Sequence, residues 1–414
     1  MGSMGGNDRN NDQGGRQRPG RRPATRAAAP TTRVVAALAA LALLASGSAP
    51  RYARGAMSAD LEPAYLLAVV RAAAAARSVL EWMESATERL APGRLDELVD
   101  HARAAHQRPL QEAGRMLAAA NPPREMTGFA KHFRATFDHV SAAFENFTAA
   151  PSQPFMARIA PLLGAMHHLA RAQEGFYVVR HALAPLRGFW DLPGCEVGEP
   201  EQPFKSEVAT AGLTHMSRGG HHGGFSLYVP ETYTPEREWP LIVALHGGSG
   251  NGRDFLWTWL REARSLGYLL IAPKSYGDTW SEIDDHGLLE ILGWIERYYR
   301  LDRRRILLTG LSDGGTYALL YGLAHRDVYR AIAPLCGVLH PANGVIGNLE
   351  RAQGAPIYLV HGGQDFLFPV HLARFARDTL LGAGAALLYR EIDELSHTYP
   401  RSENVAILRW FAGI

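Results

Sequence analysis

Cysteine is scarce in this chain, which contains only two in 414 residues. Cys336 ends an apolar run and is expected to be a buried thiol, whereas Cys195 lies in a stretch rich in proline and glycine. We expect no disulfide between them. The cysteines therefore do not indicate whether the protein is exported or cytoplasmic.

Nucleotide-binding motifs are absent as well. The sequence has no G-x-x-x-x-G-K-[ST] and no G-x-G-x-x-G, so we discount a nucleotide cofactor. The formal net charge is only +2, and the arginine excess is concentrated in the first 33 residues. No basic stripe with interleaved aromatic residues occurs, so nucleic-acid binding has no support.

The first 56 residues differ in composition from the rest and include an apolar run from Val34 to Ala45. These 12 residues are too few to span a bilayer but suit the apolar part of a signal peptide. The alternative is that Met57 is the true start. We expect no transmembrane span. If residues 1–56 are a signal segment, we expect the protein to be exported; if synthesis starts at Met57, we expect it to be cytoplasmic.

Residues 57–187 are predicted to form a four-helix bundle, because helical periodicity is interrupted only by short breaks containing proline. The predicted helices cover residues 60–90, 94–119, 125–149 and 154–182. In the third helix, apolar residues recur every three or four positions and form one stripe: Phe129, Phe133, Phe137, Val140, Phe144 and Phe147. We interpret this stripe as bundle core; the alternative is an exposed face that binds lipid or a partner.

Six histidines in the bundle raise the question of a metal site: His101, His106, His132, His139, His167 and His168. Di-iron bundles use Glu-x-x-His pairs, and none occurs here. We therefore predict surface histidines, with no metal and no other cofactor. The bundle is expected either to cover the second half of the chain or to mediate homo-oligomerisation.

Residues 188–205 are predicted to be a linker, and residues 206–414 a domain in which strands and helices alternate. This alternation indicates an α/β fold, with about seven strands in a mostly parallel sheet covered by helices on both faces. The glycine- and histidine-rich stretch at 219–224 is interpreted as a hairpin loop.

The pentapeptide from Gly310 to Gly314, G-x-S-x-G, is the most informative motif of this second half. It follows an apolar strand and precedes a helical pattern. In this context the serine is a nucleophile on a tight turn, where small neighbours are required. Ser312 is therefore the candidate nucleophile.

A serine nucleophile needs a histidine that takes its proton and a carboxylate that orients the histidine. Asp365 follows the penultimate predicted strand and His397 follows the last one, in the order Ser, Asp, His. Asp393 is the weaker carboxylate candidate and is interpreted as a solvated acid at a strand end. His361 is expected to be structural, and His371 to lie on the next helix.

Negative charge that develops on a carbonyl oxygen requires preorganised N–H donors. One donor is expected from Asp313, the residue after the nucleophile, through its backbone rather than its charge. The other is expected from Gly248, in the glycine-rich loop that follows the strand ending at Leu245. Trp280 and Phe366 follow strand ends on the same side and are candidate substrate-pocket residues.

Together these motifs resemble an α/β-hydrolase of the phospholipase/carboxylesterase type, close also to polyhydroxybutyrate-depolymerase and feruloyl-esterase-like proteins. The resemblance covers about Gly212 to the carboxyl terminus. It implies a serine esterase that acts on a small-molecule or lipid-like ester through an acyl-enzyme. A peptidase, an acyltransferase and a non-enzymatic binding protein remain alternatives. The interval from Gly337 to Ala355 is too short for a helical cap, so a shallow pocket is expected.

Overall fold

A computed structural model describes residues 63–198, 200, 202–217 and 223–414, apart from the side chains of residues 155 and 156. The predicted leader at residues 1–56, the alternative start at Met57 and the centre of the loop at 219–224 lie outside the described residues.

The amino-terminal part of the described chain is helical, with bounds close to those predicted. Its helices are α1 (Pro63–Glu88), α2 (Leu95–Ala102), α3 (Arg108–Ala119), α4 (Thr127–Ala149) and α5 (Ile159–Val179). A π-helical turn, Arg103–Gln107, joins α2 to α3 within the predicted helix at 94–119. We refer to α1 to α5 as the helical layer.

The phenylalanine stripe of α4 is buried over its whole length. Phe133 packs against Phe129 and against Phe176 of α5, each at 5.6 Å between ring centroids. Gly175 lets the two helices approach closely, because a Cβ at this position would lie 2.2 Å from Thr136 Oγ1. The stripe is therefore core in this structure.

Helix α1 is long and apolar enough, by length and composition alone, to cross a bilayer. Half of its most apolar 18-residue stretch is buried inside the protein. Leu66, Val69 and Leu80 are among its fully buried residues, as in a core helix.

The second half of the chain contains one eight-stranded sheet. Its strands are β1 (Gly212–Met216), β2 (Phe225–Val229), β3 (Trp239–Leu245), β4 (Leu269–Pro273), β5 (Leu301–Leu311), β6 (Ala331–Leu335), β7 (Pro356–Gly362) and β8 (Ala386–Ile392). The order is β1-β2-β4-β3-β5-β6-β7-β8. β1 and β2 form an antiparallel hairpin, β2 also runs antiparallel to β4, and all other neighbours are parallel.

Helices cover both faces of this sheet, as the alternating pattern predicted. They are α6 (Gly252–Phe255), α7 (Leu260–Leu266), α8 (Asp285–Tyr298), α9 (Asp313–Ala324), α10 (Asn348–Arg351), α11 (Val370–Gly382) and α12 (Asn404–Ala412). One sheet face packs with α8, α9 and α11 in a hydrophobic cluster. The other face packs with α7 and α12 in a second cluster, which also contains the core of the helical layer.

The helical layer thus shares a continuous core with the sheet. At the junction lies Glu231, whose side chain is 6% exposed. It accepts hydrogen bonds from Tyr177 and Arg180 of the helical segment, and from Tyr228 and Arg264 on the sheet side. This joint, the contact between the helical layer and the sheet, therefore combines apolar packing with ion pairs.

The predicted linker at 188–205 is packed at its start. Phe189 and Trp190 are each only 3% exposed and belong to the shared core. Asp191 accepts a 2.8 Å hydrogen bond from Arg264 Nε. The first residues of this segment therefore extend the joint between the helical layer and the sheet.

Candidate active site

Ser312 lies on a sharp turn between β5 and α9. Its φ of 59° and ψ of −116° are unusual for a residue with a side chain, and such backbone strain costs about 1–3 kcal/mol. The turn is tight because neighbouring backbones leave no room: a Cβ at Gly310 would lie 2.4 Å from the carbonyl oxygen of Gly314, and one at Gly314 would lie 2.4 Å from that of Leu245. The G-x-S-x-G spacing predicted this strand, turn and helix.

Asp365 and His397 follow the neighbouring parallel strands β7 and β8, which brings their side chains to the same sheet edge as Ser312. His397 Nδ1 is 2.7 Å from Asp365 Oδ2, and His397 Nε2 is 2.7 Å from Ser312 Oγ. An imidazole that donates Nδ1–H to a carboxylate presents its other nitrogen as a proton acceptor. The structure therefore brings the three predicted side chains together in one hydrogen-bonded chain.

Backbone N–H groups hold the Asp365 carboxylate in place. Asp365 Oδ1 accepts hydrogen bonds from the N–H groups of Leu367 and Phe368, at 3.0 and 2.7 Å. The ring of Phe368 meets the imidazole of His397 edge-on at 5.1 Å. Since the side chain of Asp365 is fully buried, His397 receives a carboxylate with a fixed orientation.

His361 contacts the same turn through its imidazole. It is fully buried, its Nε2 lies 2.8 Å from the carbonyl oxygen of Phe368, and burial lowers its pKa. A neutral imidazole that donates to this carbonyl stabilises the loop that carries Asp365. The other candidates of this region have the expected places, with Asp393 exposed at the end of β8 and His371 exposed on α11.

The glycine-rich loop after β3 lies directly against the serine turn. A Cβ at Gly247 would lie 3.6 Å from Ser312 Cβ, and one at Gly248 would lie 3.9 Å from Asp313 Cβ. Asp313 is the first residue of α9, so its N–H has no acceptor within the helix. Within residues 223–414, no backbone hydrogen bond is formed by the N–H of Gly248. Two N–H groups without a hydrogen-bond partner among the described residues therefore flank Ser312.

The candidate pocket residue Trp280 is 6% exposed and is hydrogen-bonded to His246 in the glycine-rich loop and to Asp313. It borders a small cavity that Tyr276, Asp284 and Leu288 also line, and its place in a substrate pocket stays a prediction. Its position depends on contacts with residues more than 30 positions away in the sequence, which local patterns do not reveal. Phe366, by contrast, is 48% exposed on the loop that carries Asp365.

The surroundings of the site contain no large insertion. Between β6 and β7 the chain forms only the short turn Pro341–Gly344 and the single-turn helix α10. The helical layer reaches the loop that carries His397 from one side: the hydroxyl of Thr398 donates to the carbonyl of Glu88, and Ser402 donates to its carboxylate. No sequence signal indicated this contact, which joins residues 310 positions apart.

Side-chain hydrogen bonds are made by five bundle histidines: His106, His132, His139, His167 and His168. His139 and His168 face each other with 2.9 Å between their Nδ1 atoms, and His167 pairs with Asp254. Across the described ranges, no group of three or more histidine, cysteine, aspartate or glutamate side chains could hold a metal ion. Cys336 is buried, as predicted, and its thiol donates a 3.4 Å hydrogen bond to the carbonyl oxygen of Thr398, while Cys195 is also a free thiol.

Comparison with known proteins finds similarity to α/β-hydrolase esterases in the second half of the chain. Residues 291–411 match the phospholipase/carboxylesterase family model. A curated relative, the bifunctional acetylxylan esterase/xylanase XynS20E of Neocallimastix patriciarum, is 28% identical over 148 residues. That alignment covers 34% of this chain and only 21% of the relative. The predicted kinship with α/β-hydrolase esterases is confirmed.

Solved structures include a thermostable esterase, with 21% identity, a TM-score of 0.41 and coverage of 49% of this chain and 62% of that one. An acetyl xylan esterase from Aspergillus awamori has 15% identity and a TM-score of 0.41, with coverage of 49% of this chain and 100% of that one.

Proposed function

We propose that this chain, an α/β-hydrolase related to the phospholipase/carboxylesterase family in its second half, is a serine hydrolase that cleaves carboxylic esters. The observation that carries the proposal is the position of His397, within 2.7 Å of both Ser312 Oγ and Asp365 Oδ2. The unpaired N–H groups of Gly248 and Asp313 beside the serine support it. Ester hydrolysis is one of the two activities in the name of the curated relative reported above.

In the acylation step, Ser312 Oγ attacks the ester carbonyl while His397 Nε2 takes the hydroxyl proton. Asp365 holds the imidazole and stabilises its positive charge. The negative charge on the tetrahedral intermediate lies between the N–H groups of Gly248 and Asp313. When this intermediate collapses, the C–O bond breaks, His397 gives its proton to the departing alcohol, and an acyl group remains on Ser312.

Deacylation repeats the same steps with water as the nucleophile. His397 takes a proton from water, the hydroxyl attacks the acyl carbon, and the acid leaves as Ser312 recovers its proton from His397. No cofactor enters either step. The substrate class we propose is a small-molecule or lipid-like carboxylic ester, with exposed Phe366 as an apolar surface at the entrance.

The test is hydrolysis of p-nitrophenyl esters, from acetate to palmitate, by the wild type and by Ser312→Ala. We expect the substitution to lower kcat by about 10⁴- to 10⁶-fold, because the acyl-enzyme can no longer form. Ser396→Ala is the matched control: within the described part of the chain its buried hydroxyl has no hydrogen-bond partner, so its loss should change kcat less than about twofold.

A second readout does not depend on the choice of substrate. A fluorophosphonate should label the wild type at Ser312 and leave Ser312→Ala unlabelled, because only an activated serine reacts. A folded Ser312→Ala protein with wild-type hydrolysis, or labelling at a different serine, would refute the proposal. Cleavage of aminoacyl amides in preference to esters would instead identify a peptidase.

A further inference from the structure

Trp280 connects the two backbone segments that flank Ser312. Its indole Nε1–H donates a 2.8 Å hydrogen bond to the carbonyl oxygen of His246, two residues before Gly248. Its backbone N–H donates a 2.7 Å hydrogen bond to Oδ2 of Asp313. One residue therefore holds both the glycine-rich loop and the first residue of α9.

The ring of Trp280 is itself held in one orientation. It stacks on Tyr317 with 5.9 Å between centroids and 19° between planes, and it packs against the imidazole of His246 at 4.9 Å. Tyr317 in turn donates its hydroxyl to the carbonyl oxygen of Ser281 at 2.9 Å, and also contacts Asp285. The indole N–H is thus aimed at His246 by packing on both sides.

His246 is anchored at its other end too. Its Nε2 accepts a hydrogen bond from the N–H of Ser275 at 3.2 Å, and its side chain and backbone together are 1% exposed. If the indole N–H were absent, the carbonyl oxygen of His246 would lose this donor in a site with little access to water. An unpaired buried acceptor is destabilising, and the loop can relieve this by moving.

We propose that Trp280 is a positioning residue that fixes the two oxyanion-hole donors, Gly248 N–H and Asp313 N–H, relative to each other. This inference rests on the proposed ester hydrolysis at Ser312. In this proposal Trp280 acts through His246 on one donor and through the Asp313 carboxylate on the other. Trp280 therefore contributes to stabilisation of the transition state, in which negative charge develops on the carbonyl oxygen of the substrate, rather than to substrate binding.

The first variant is Trp280→Phe, which removes the indole N–H and keeps an aromatic ring between Tyr317 and His246. Removal of one oxyanion donor costs about 10²- to 10³-fold in kcat, and displacement of a donor costs less. We expect kcat to fall about 10- to 100-fold while KM changes less than about threefold. Trp82→Phe is the matched control, since the indole nitrogen of Trp82 is also buried but has no hydrogen-bond partner among the residues that the structure describes.

The second readout is inhibition by an alkyl trifluoromethyl ketone. The serine oxygen adds to the ketone carbonyl, and the resulting oxyanion lies in the oxyanion hole. We expect the inhibition constant for Trp280→Phe to rise by the same factor by which kcat/KM falls. A loss of general stability would not produce this correspondence. Asp313→Ala should show it too, whereas Asp313→Asn, which keeps an oxygen acceptor for the N–H of Trp280, should recover most of the loss.

The possible results separate the two proposals. If Ser312→Ala is inactive but Trp280→Phe and Asp313→Ala keep wild-type kcat and inhibitor affinity, the role of Trp280 is refuted and the esterase stands. If only KM rises in Trp280→Phe, Trp280 is a substrate-pocket residue and the inference is likewise wrong. If Ser312→Ala keeps the activity, the proposed function itself fails. If Trp280→Phe does not fold, the Asp313 pair decides the question.

Discussion

Replacing Glu231 with glutamine should weaken the joint between the helical layer and the sheet. The two oxygens of Glu231 accept four hydrogen bonds, from Tyr177, Arg180, Tyr228 and Arg264, at 2.7 to 3.0 Å. A glutamine amide would replace one of the two oxygens with an NH2 group, which would face one guanidinium group and one tyrosine hydroxyl, and would remove the negative charge that offsets both arginines. The two arginine side chains are themselves largely buried, at 13% and 5% exposed.

The expected size of this effect follows from the partners that remain. Breaking a buried ion pair by removal of one partner costs about 3–5 kcal/mol. Arg264 retains Asp191 at 2.8 Å, and Arg180 retains the carbonyl oxygen of Tyr177 at 2.7 Å. We therefore expect the lower end of that range, a loss of about 3 kcal/mol in the free energy of unfolding of Glu231→Gln.

Urea unfolding followed by far-UV circular dichroism and by tryptophan fluorescence measures this loss. The two signals should change together, because the helices and the sheet share one hydrophobic cluster. Glu296→Gln is the control, since its ion pair with Arg303 lies at the surface and should contribute less than about 1 kcal/mol. A loss below about 1 kcal/mol in Glu231→Gln, or separate transitions in the wild type, would refute the reasoning.

Two further predictions concern the loops of the site. Burial lowers the pKa of His246 from 6.5 to about 4, so between these values the unfolded chain binds more protons than the folded one. The free energy of unfolding should therefore fall by about 1.4 kcal/mol per pH unit as the pH drops through this window. His246→Gln should reduce this slope, as measured by urea unfolding at pH 7, 6 and 5. Equal slopes in the variant and the wild type would contradict the prediction. Thr398→Val removes the 2.9 Å hydrogen bond to the carbonyl of Glu88 and should cost about 1 kcal/mol and lower kcat several-fold through the adjacent His397. Thr398→Ser should retain both, and a Thr398→Val enzyme with wild-type stability and kcat would show that the helical layer does not hold this loop.

Patterns with a local physical cause predicted most of the fold. The phenylalanine stripe at helical spacing marked the buried face of α4, and the flanking glycines marked the turn at Ser312, because each depends on neighbours within a few residues. Ser312, Asp365 and His397 were found from their order after successive strands, which a parallel sheet converts into proximity. Their catalytic roles remain a proposal that the Ser312→Ala experiment tests.

Other features depend on contacts between distant parts of the chain. Trp280 was predicted to be a pocket residue because it follows a strand, and local patterns do not reveal its packing against His246 and Tyr317. Glu231 has nothing in its sequence context that marks it as buried, since its partners come from positions 177 to 264. The π-helical turn at Arg103–Gln107 likewise lies within a segment whose composition suits an ordinary helix.

The contacts between the helical layer and the sheet limit which experiments can test the role of this layer. Besides the Glu88 contacts to the His397 loop, Arg171 and His167 of α5 bind the carboxylate of Asp254, which also binds the side chain of Asn251 at the end of the glycine-rich loop. The same helices fill the cluster that covers one face of the sheet. Deletion of residues 1–200 would therefore remove core as well as any cover or dimer surface. A covering or oligomerising role of the helical layer stays a prediction. It must be tested by substitutions at exposed helix positions such as Leu67 and Leu163, which are 39% and 53% exposed. Such substitutions leave the shared core intact.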